Sequence, residues 1–264
     1  MFDMRLMVGE MSRLRIGAQL IIWGRRVESD LLGVLDEVSS LGYEGIECGH
    51  DVFNTVSDAV KALTSRGLSL AGLHAGIGSI NREEVEKAID TLENLGGRYL
   101  IFSGAGGREN SDENYLKNSR CLEEYGKIAR KRGITVCYHN HWQEIVNNER
   151  GIQIVLRNTD PEHVALCVDT YWVKHGGEDP VEFMKRHQDR IVYLHLKDGT
   201  IEGMRKKTPE FIELGRGVID FPAVLEMAKS LNIEWAVVEQ DRTNLTPKES
   251  MAISRRYLKE NFGL

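Results

Sequence analysis

Short apolar runs carrying β-branched residues recur along the chain at 15–22, 44–48, 68–73, 98–102, 134–138, 164–168, 190–196 and 235–239. Each is followed by a longer stretch whose apolar residues return with helical period, so strands and helices are expected to alternate. Leu31, Leu35, Val38 and Leu41 share one helical face, and Gly42 stops that helix. Asn81 with Glu84 opens the third helix as a capping pair; Val85, Ile89, Leu92 and Leu95 form its stripe and Gly96 ends it. Asp179-Pro180-Val181-Glu182 and Thr246-Pro247-Lys248-Glu249 each set a cap, a first-turn proline and an acidic third residue in order, and Asp220 with Pro222 starts the seventh helix. Strand–helix alternation implies a parallel sheet. Eight such units in about 250 residues fit a closed (β/α)8 TIM barrel, an α/β fold, over residues 15–264. Residues 1–14 read as an N-terminal tail. An open doubly wound sheet fits less well, because no GxGxxG follows the first strand.

Charge and composition narrow the functional classes. The 264 residues carry 34 Lys+Arg against 40 Asp+Glu, a net charge of −6. An acidic chain is a poor default binder of nucleic acid. No apolar run approaches the ~20 residues of a membrane span, and the N-terminus has no signal-peptide stretch. Cys48, Cys121, Cys137 and Cys167 form no CxxC pair. They read as reduced, mostly buried thiols of a cytoplasmic protein.

The chemistry concentrates where strands end, the place where barrels of this kind carry their active sites. Those exits hold Gln19 and Trp23, Glu47, His74, then Ser103-Gly104-Ala105-Gly106-Gly107, Tyr138-His139-Asn140-His141-Trp142-Gln143-Glu144, Asp169, His195-Leu196-Lys197-Asp198 and Glu239-Gln240-Asp241. Carboxylates and imidazoles converging on one mouth make a mixed oxygen and nitrogen shell for Mn²⁺, Co²⁺, Mg²⁺ or Zn²⁺; no cysteine stands at a strand exit to make a thiolate site. His50, His163, His175 and His187 lie away from the exits and read as structural. Trp23, Trp142 and Trp172 are candidates to floor a sugar site. Arg216 is a candidate to reach it, and Arg205-Lys206-Lys207 reads as a solvated loop. The glycines at 104, 106 and 107 are weak candidates for an anion cradle.

Taken together, Tyr138-His139-Asn140-His141-x-x-Glu144, Val168-Asp169-Thr170-Tyr171-Trp172, Leu194-His195-Leu196-Lys197-Asp198 and Val238-Glu239-Gln240-Asp241 resemble the xylose isomerase-like TIM barrels. That superfamily includes sugar phosphate isomerases/epimerases, tagatose 3-epimerase-type enzymes, hydroxypyruvate isomerase and inosose dehydratase. The resemblance covers roughly residues 15–262. It implies one divalent metal, Mn²⁺ foremost, on Asp169, His195 and Glu239 plus one residue from the fifth strand. For that ligand Glu144 is the expectation and His139 the rival, since epimerases carry Glu where this chain has His139. A second departure is Trp172, where many epimerases and inosose dehydratases carry His.

The resemblance implies a metal-dependent sugar isomerase or epimerase acting on a ketose or keto-sugar through an enediolate. Glu144 or His141 would remove the proton and Glu239 would return it. Glu47, His74, Lys197, Trp172 and Arg216 would contact substrate. The alternative is an inosose dehydratase-like lyase that eliminates water from a keto-cyclitol or keto-sugar; a further alternative is a non-catalytic sugar-binding barrel. An endonuclease of the same superfamily would want a basic face that this chain lacks. The expected partner is a small sugar or cyclitol, and a homo-oligomer is compatible with the fold.

Overall fold

Strands buried on both faces need apolar residues at nearly every position, and the eight predicted runs supply them. The computed structural model describes residues 13–206 and 208–264, so most of the expected tail (1–14) and Lys207 of the basic run lie outside the described residues. The strands are β1 (Arg15–Gln19), β2 (Gly45–Gly49), β3 (Ser69–Gly76), β4 (Tyr99–Ser103), β5 (Thr135–His139), β6 (Val164–Asp169), β7 (Ile191–Leu196), a short pair β8 (Asp198–Gly199) and β9 (Phe211–Ile212), and β10 (Trp235–Val238). The eight long ones close a parallel barrel in the order β1-β10-β7-β6-β5-β4-β3-β2. The fold is therefore the expected single TIM barrel.

Alternation along each strand decides what reaches the lumen. Outward side chains such as Ile16, Leu100, Val136, Leu166 and Leu194 join the large core beneath the helices. Inward ones form a separate plug of Ala71, Ile101, Cys137, Ala165, Cys167, Tyr193, Trp235 and Val237. Two residues further along, the same inward rows continue into His139, Asp169, His195 and Glu239. The Trp235 ring fits because β2 has glycine opposite it: a Cβ on Gly45 would sit 2.5 Å from that ring and 2.8 Å from the Ser69 carbonyl oxygen. Gly45→Ala is expected to cost about 1–3 kcal/mol through overpacking. A thermal midpoint equal to that of the wild type would contradict this.

The expected caps form. Asn81 and Glu84 make a reciprocal capping box at helix Arg82–Leu95, Gly96 ends that helix in the left-handed region, and Thr246 and Glu249 cap Pro247–Phe262. Asp179 and Asp220 each cap a helix with proline in its first turn. Cys48, Cys137 and Cys167 are buried, and all four cysteines are free. Among the described residues no helix is long and apolar enough to cross a membrane.

Several elements depart from the sequence pattern. β1 stops at Gln19, and residues 20–23 turn into a short 3-10 helix. A helix, Thr170–His175, starts immediately at Asp169, whose side chain caps it. The long loop after β7 folds into the β8–β9 ribbon and a short helix, Ile201–Arg205. There Asp198 is buried and accepts hydrogen bonds from the amides of Gly199, Gly215, Gly217, Val218 and Ile219.

The helix after β5 (Trp142–Arg157) is interrupted: Asn147, Asn148 and Glu149 take φ of 57°, 58° and 59°. Asparagine tolerates that region; glutamate does so at a cost. Glu149 is held there by the Nε and Nη2 of Arg186 and by Nε2 of His187 at 2.7 Å. Burial pushes the Glu149 carboxyl up, but Arg186 and His187 outweigh it and hold it below the usual carboxylate range. A depressed folded pKa contributes stability above the unfolded value of about 4.3 that is lost as pH falls through the folded pKa. Urea midpoints of wild type and Glu149→Gln should therefore differ at neutral pH and converge toward pH 3. A gap that persists at low pH would refute the ion-pair account.

Candidate metal and substrate site

The last inward position of four strands brings His139 (β5), Asp169 (β6), His195 (β7) and Glu239 (just after β10) together. One donor atom from each lies within 4.8 Å of all the others, and all four residues are buried. Strand register explains the meeting: Asp169 pairs with His195 across β6–β7, and Val237 pairs with His195 across β10–β7.

The polar atoms that face this point make no hydrogen bond and have only charged neighbours: His195 Nδ1 lies against Glu239 Oε2, and Lys197 near Asp169 Oδ2. His139 Nε2, Asp169 Oδ2, His195 Nδ1 and Glu239 Oε2 are buried without a hydrogen bond. Unmade hydrogen bonds cost about 1–3 kcal/mol per buried group. Four such atoms converging on one point have the arrangement of a cation shell. His139 Nε2 stands 3.6 Å from both Asp169 Oδ2 and Glu239 Oε2. Two imidazoles and two carboxylates suit a divalent ion of the Mn, Co or Zn kind.

The other ends of Asp169 and His195 are fastened. Asp169 Oδ1 accepts from the Trp172 amide at 2.8 Å. His195 Nε2 bonds Glu47 Oε2 at 2.7 Å, which turns Nδ1 toward the shell. The remaining Glu47 oxygen, Oε1, bonds His74 Nδ1 at 3.0 Å, and His74 Nε2 bonds Ser103 Oγ at 3.1 Å. Burial pushes the Glu47 carboxyl up, but His195 and His74 overcome it and keep the carboxyl well below its ordinary range.

Behind the donors lies Lys197. It is 1% exposed, with Nζ 2.9 Å from Asp241 Oδ1, 3.4 Å from Glu239 Oε1 and 3.5 Å from Asp169 Oδ2. Burial alone would lower its pKa; Glu239, Asp169 and Asp241 raise it instead, so it stays charged. In return Lys197 and His195 hold the Glu239 carboxyl well below its usual range against burial. Asp241 goes the other way: burial raises it despite Lys197.

Above the shell opens a cavity of about 460 Å³. His74, Ser103, His139, His141, Glu239 and Asp241 form its polar side, and Leu20, Ile21, Val27 and Ala75 an apolar one. Burial, with His139 and Lys197 nearby, lowers the His141 pKa well below its ordinary value, so its ring is neutral at pH 7. Cavities of 300–1,000 Å³ are of ligand size.

Three sequence expectations meet a different geometry. Glu144 stands apart from the donors. Its Oε2 accepts from the His141 amide at 2.7 Å, and Oε1 takes the hydroxyls of Tyr115 and Tyr138, both at 3.0 Å. As the third residue of its helix it caps the start, so of the two fifth-strand candidates it is His139 that stands in the cluster. Arg216 is half exposed, pairs with Glu213 at 3.3 Å and faces a different groove. Trp172 is buried against Tyr171 and Phe211 and does not line the cavity. Neither does Trp23, whose Nε1 donates to Glu37, nor Trp142, which lies beside His175.

The glycine-rich loop after β4 spends the Ala105 amide on Tyr138 Oη. Lys206 pairs with Glu210. His163 and His187 bond Glu123 and Glu149. Asp241 was visible in the sequence as part of Glu-Gln-Asp, but its place in the cavity wall needed the loop geometry.

The family model described as xylose isomerase-like TIM barrel matches residues 35–261. An inosose dehydratase of Geobacillus thermodenitrificans is 29% identical, covering 87% of this chain and 89% of that protein. A sugar phosphate isomerase/epimerase from Parabacteroides distasonis superposes with a TM-score of 0.76 at 24% identity, covering 97% of both chains. The IolI protein, crystallised with a zinc atom, superposes with a TM-score of 0.68 at 16% identity, covering 93% of this chain and 97% of that one.

Proposed function

The chain belongs to the xylose isomerase-like TIM barrel family, and from that premise we propose that it is a divalent-metal-dependent lyase removing water from a keto-cyclitol or keto-sugar. The observation that carries the reading is the set of four buried donor atoms that converge without hydrogen bonds, two of them on the cavity-lining residues His139 and Glu239. His139, Asp169, His195 and Glu239 would hold the ion. A cation there supplies Lewis-acid polarisation of a substrate carbonyl.

The chain's own groups do the rest. A ring nitrogen of His141, neutral at pH 7, takes the proton α to the carbonyl. The electron pair moves toward the carbonyl, the β C–O bond breaks, and the hydroxyl leaves as water with the proton that His141 returns. The product is a conjugated enone. His74 and Ser103, linked to each other and to Glu47, orient substrate hydroxyls. Lys197 keeps Glu239 ionised. Likeness to inosose dehydratases over most of both chains supports dehydration.

A second reading, isomerisation or epimerisation, shares the first proton transfer. Asp241 favours it: it lines the same cavity, and burial raises its pKa, as suits a group that returns a proton. Incubating the Mn²⁺-loaded protein in D₂O with a keto-inositol and a panel of ketoses separates the two. Dehydration should give a conjugated enone from the keto-inositol. Deuterium incorporation with a new stereoisomer would give the case to the isomerase. No exchange and no product from any member, with metal retained, would sink both.

A further inference from the structure

The substrate cavity does not end at its apolar wall. Gly24, Val27 and Gly49 line it and also line an adjoining groove of about 450 Å³. Gly24 and Gly49 add no side chain to this shared wall, and Val27 is its third residue. Beyond it the groove presents Leu31, Val52 and Val56 with the carboxylates of Glu28 and Asp51 and the hydroxyl of Thr55. Apolar patches interleaved with hydrogen-bond acceptors match a hydroxylated ring, which offers C–H faces and O–H donors. Ile21, 48% exposed at the cavity mouth, adds apolar surface beside the metal cavity.

Charge limits what can occupy the two compartments. Their linings contain Glu239, Asp241, Glu28 and Asp51 but no lysine or arginine. In the groove a phosphate or carboxylate would meet Glu28 and Asp51 with no lysine or arginine in the lining, and an unpaired charge is costly to desolvate. Arg26, close in sequence, is engaged by Asp30 and Glu37. At about 460 and 450 Å³ the cavity and the groove are each large enough for one sugar-sized ring.

We propose that the groove is a second subsite, which receives a neutral ring joined to the keto-sugar, so that the substrate is an unphosphorylated glycoside rather than a free or phosphorylated monosaccharide. This rests on the metal-floored cavity being the substrate site. The second ring is a sugar or an aryl aglycone; both offer the same neutral, flat-faced chemistry, and the groove is continuous with the cavity that holds the reacting ring.

The test is binding to the Mn²⁺-loaded full chain by calorimetry. The ligands are D-fructose, lactulose, fructose 6-phosphate, and the methyl and phenyl glycosides of 3-keto-glucose. The second ring should tighten Kd at least about tenfold, roughly 1.4 kcal/mol, in lactulose over fructose for a sugar, or in the phenyl over the methyl glycoside for an aglycone. Thr55→Trp, which fills the groove from its exposed side, should bring that ratio to about one. Equal affinities within both pairs in the wild type would overturn the inference, as would fructose 6-phosphate binding most tightly, or a ratio that survives Thr55→Trp. If neither fructose nor the methyl glycoside binds, the functional reading itself fails and the groove goes with it.

Discussion

After loading with Mn²⁺ and gel filtration, the wild-type chain is expected to retain about one ion, and His195→Ala far less. The loss should exceed that of an ordinary ligand deletion, because His195 works on two sides. Its Nδ1 faces the three other donors, and its Nε2 is the partner of buried Glu47. Removing the ring takes away the 2.7 Å partner of Glu47, and breaking a buried charge pair costs about 3–5 kcal/mol. A companion variant separates metal loss from unfolding. Asp169→Asn keeps an oxygen to cap helix Thr170–His175 but gives the cluster an amide in place of a carboxylate. It should fold, melt near the apo wild type, and hold little metal. Glu47→Gln should weaken metal by about 10–100-fold, the usual effect of disturbing a ligand's outer partner. The ion should also raise the melting point of the wild type, since ligand at 100 times Kd adds about 2.7 kcal/mol to stability. A wild type that keeps no metal and melts at the same temperature with or without Mn²⁺ would remove the basis of the mechanism.

The second large effect is expected at His141. His141→Gln should lower kcat by about 10²–10⁴, the range for a lost acid–base group, while metal stoichiometry stays near that of the wild type. The pH dependence carries the sign. A base must be unprotonated, and burial with neighbouring positive charge holds the His141 pKa well below its normal value. The rate should therefore rise with pH only in the acid range and be flat around neutrality. In His141→Gln that acid limb should vanish. An acid limb unchanged in the variant would assign the proton transfer to another group, with Asp241 next in position.

The barrel was legible in the sequence because its signal is repeated eight times: each apolar run is bounded by caps, glycine or proline, and errors at single boundaries do not disturb the count. Asp169, His195 and Glu239 were legible for the same reason, as polar residues closing apolar runs. The fifth strand was harder. Glu144 reads equally as the fifth-strand ligand and as the third residue of a helix reaching back to its cap, and in the structure the His141 amide and the hydroxyls of Tyr115 and Tyr138 engage it. Tyr115 is 29 residues from Glu144. No local pattern carries that contact.

Trp172 follows a strand end as a sugar-stacking residue would, but the helix begun at Asp169 turns it into the packing beneath the cavity. Arg216 is drawn off by Glu213. The ribbon and short helix after β7 left little periodicity to read, being two-residue strands organised by one buried carboxylate, Asp198.

Glu47 and His195 are 148 residues apart and bonded across the lumen. All four candidate metal donors come from the chain after residue 134, on β5, β6, β7 and the exit of β10, whereas the group that aims His195 belongs to β2. A fragment cut between β4 and β5 would carry every donor and still lack the alignment of one of them. An ion bound by these donors would report on whether the two halves have met: its uptake during refolding should trail barrel closure, and it would serve as a timekeeper for assembly.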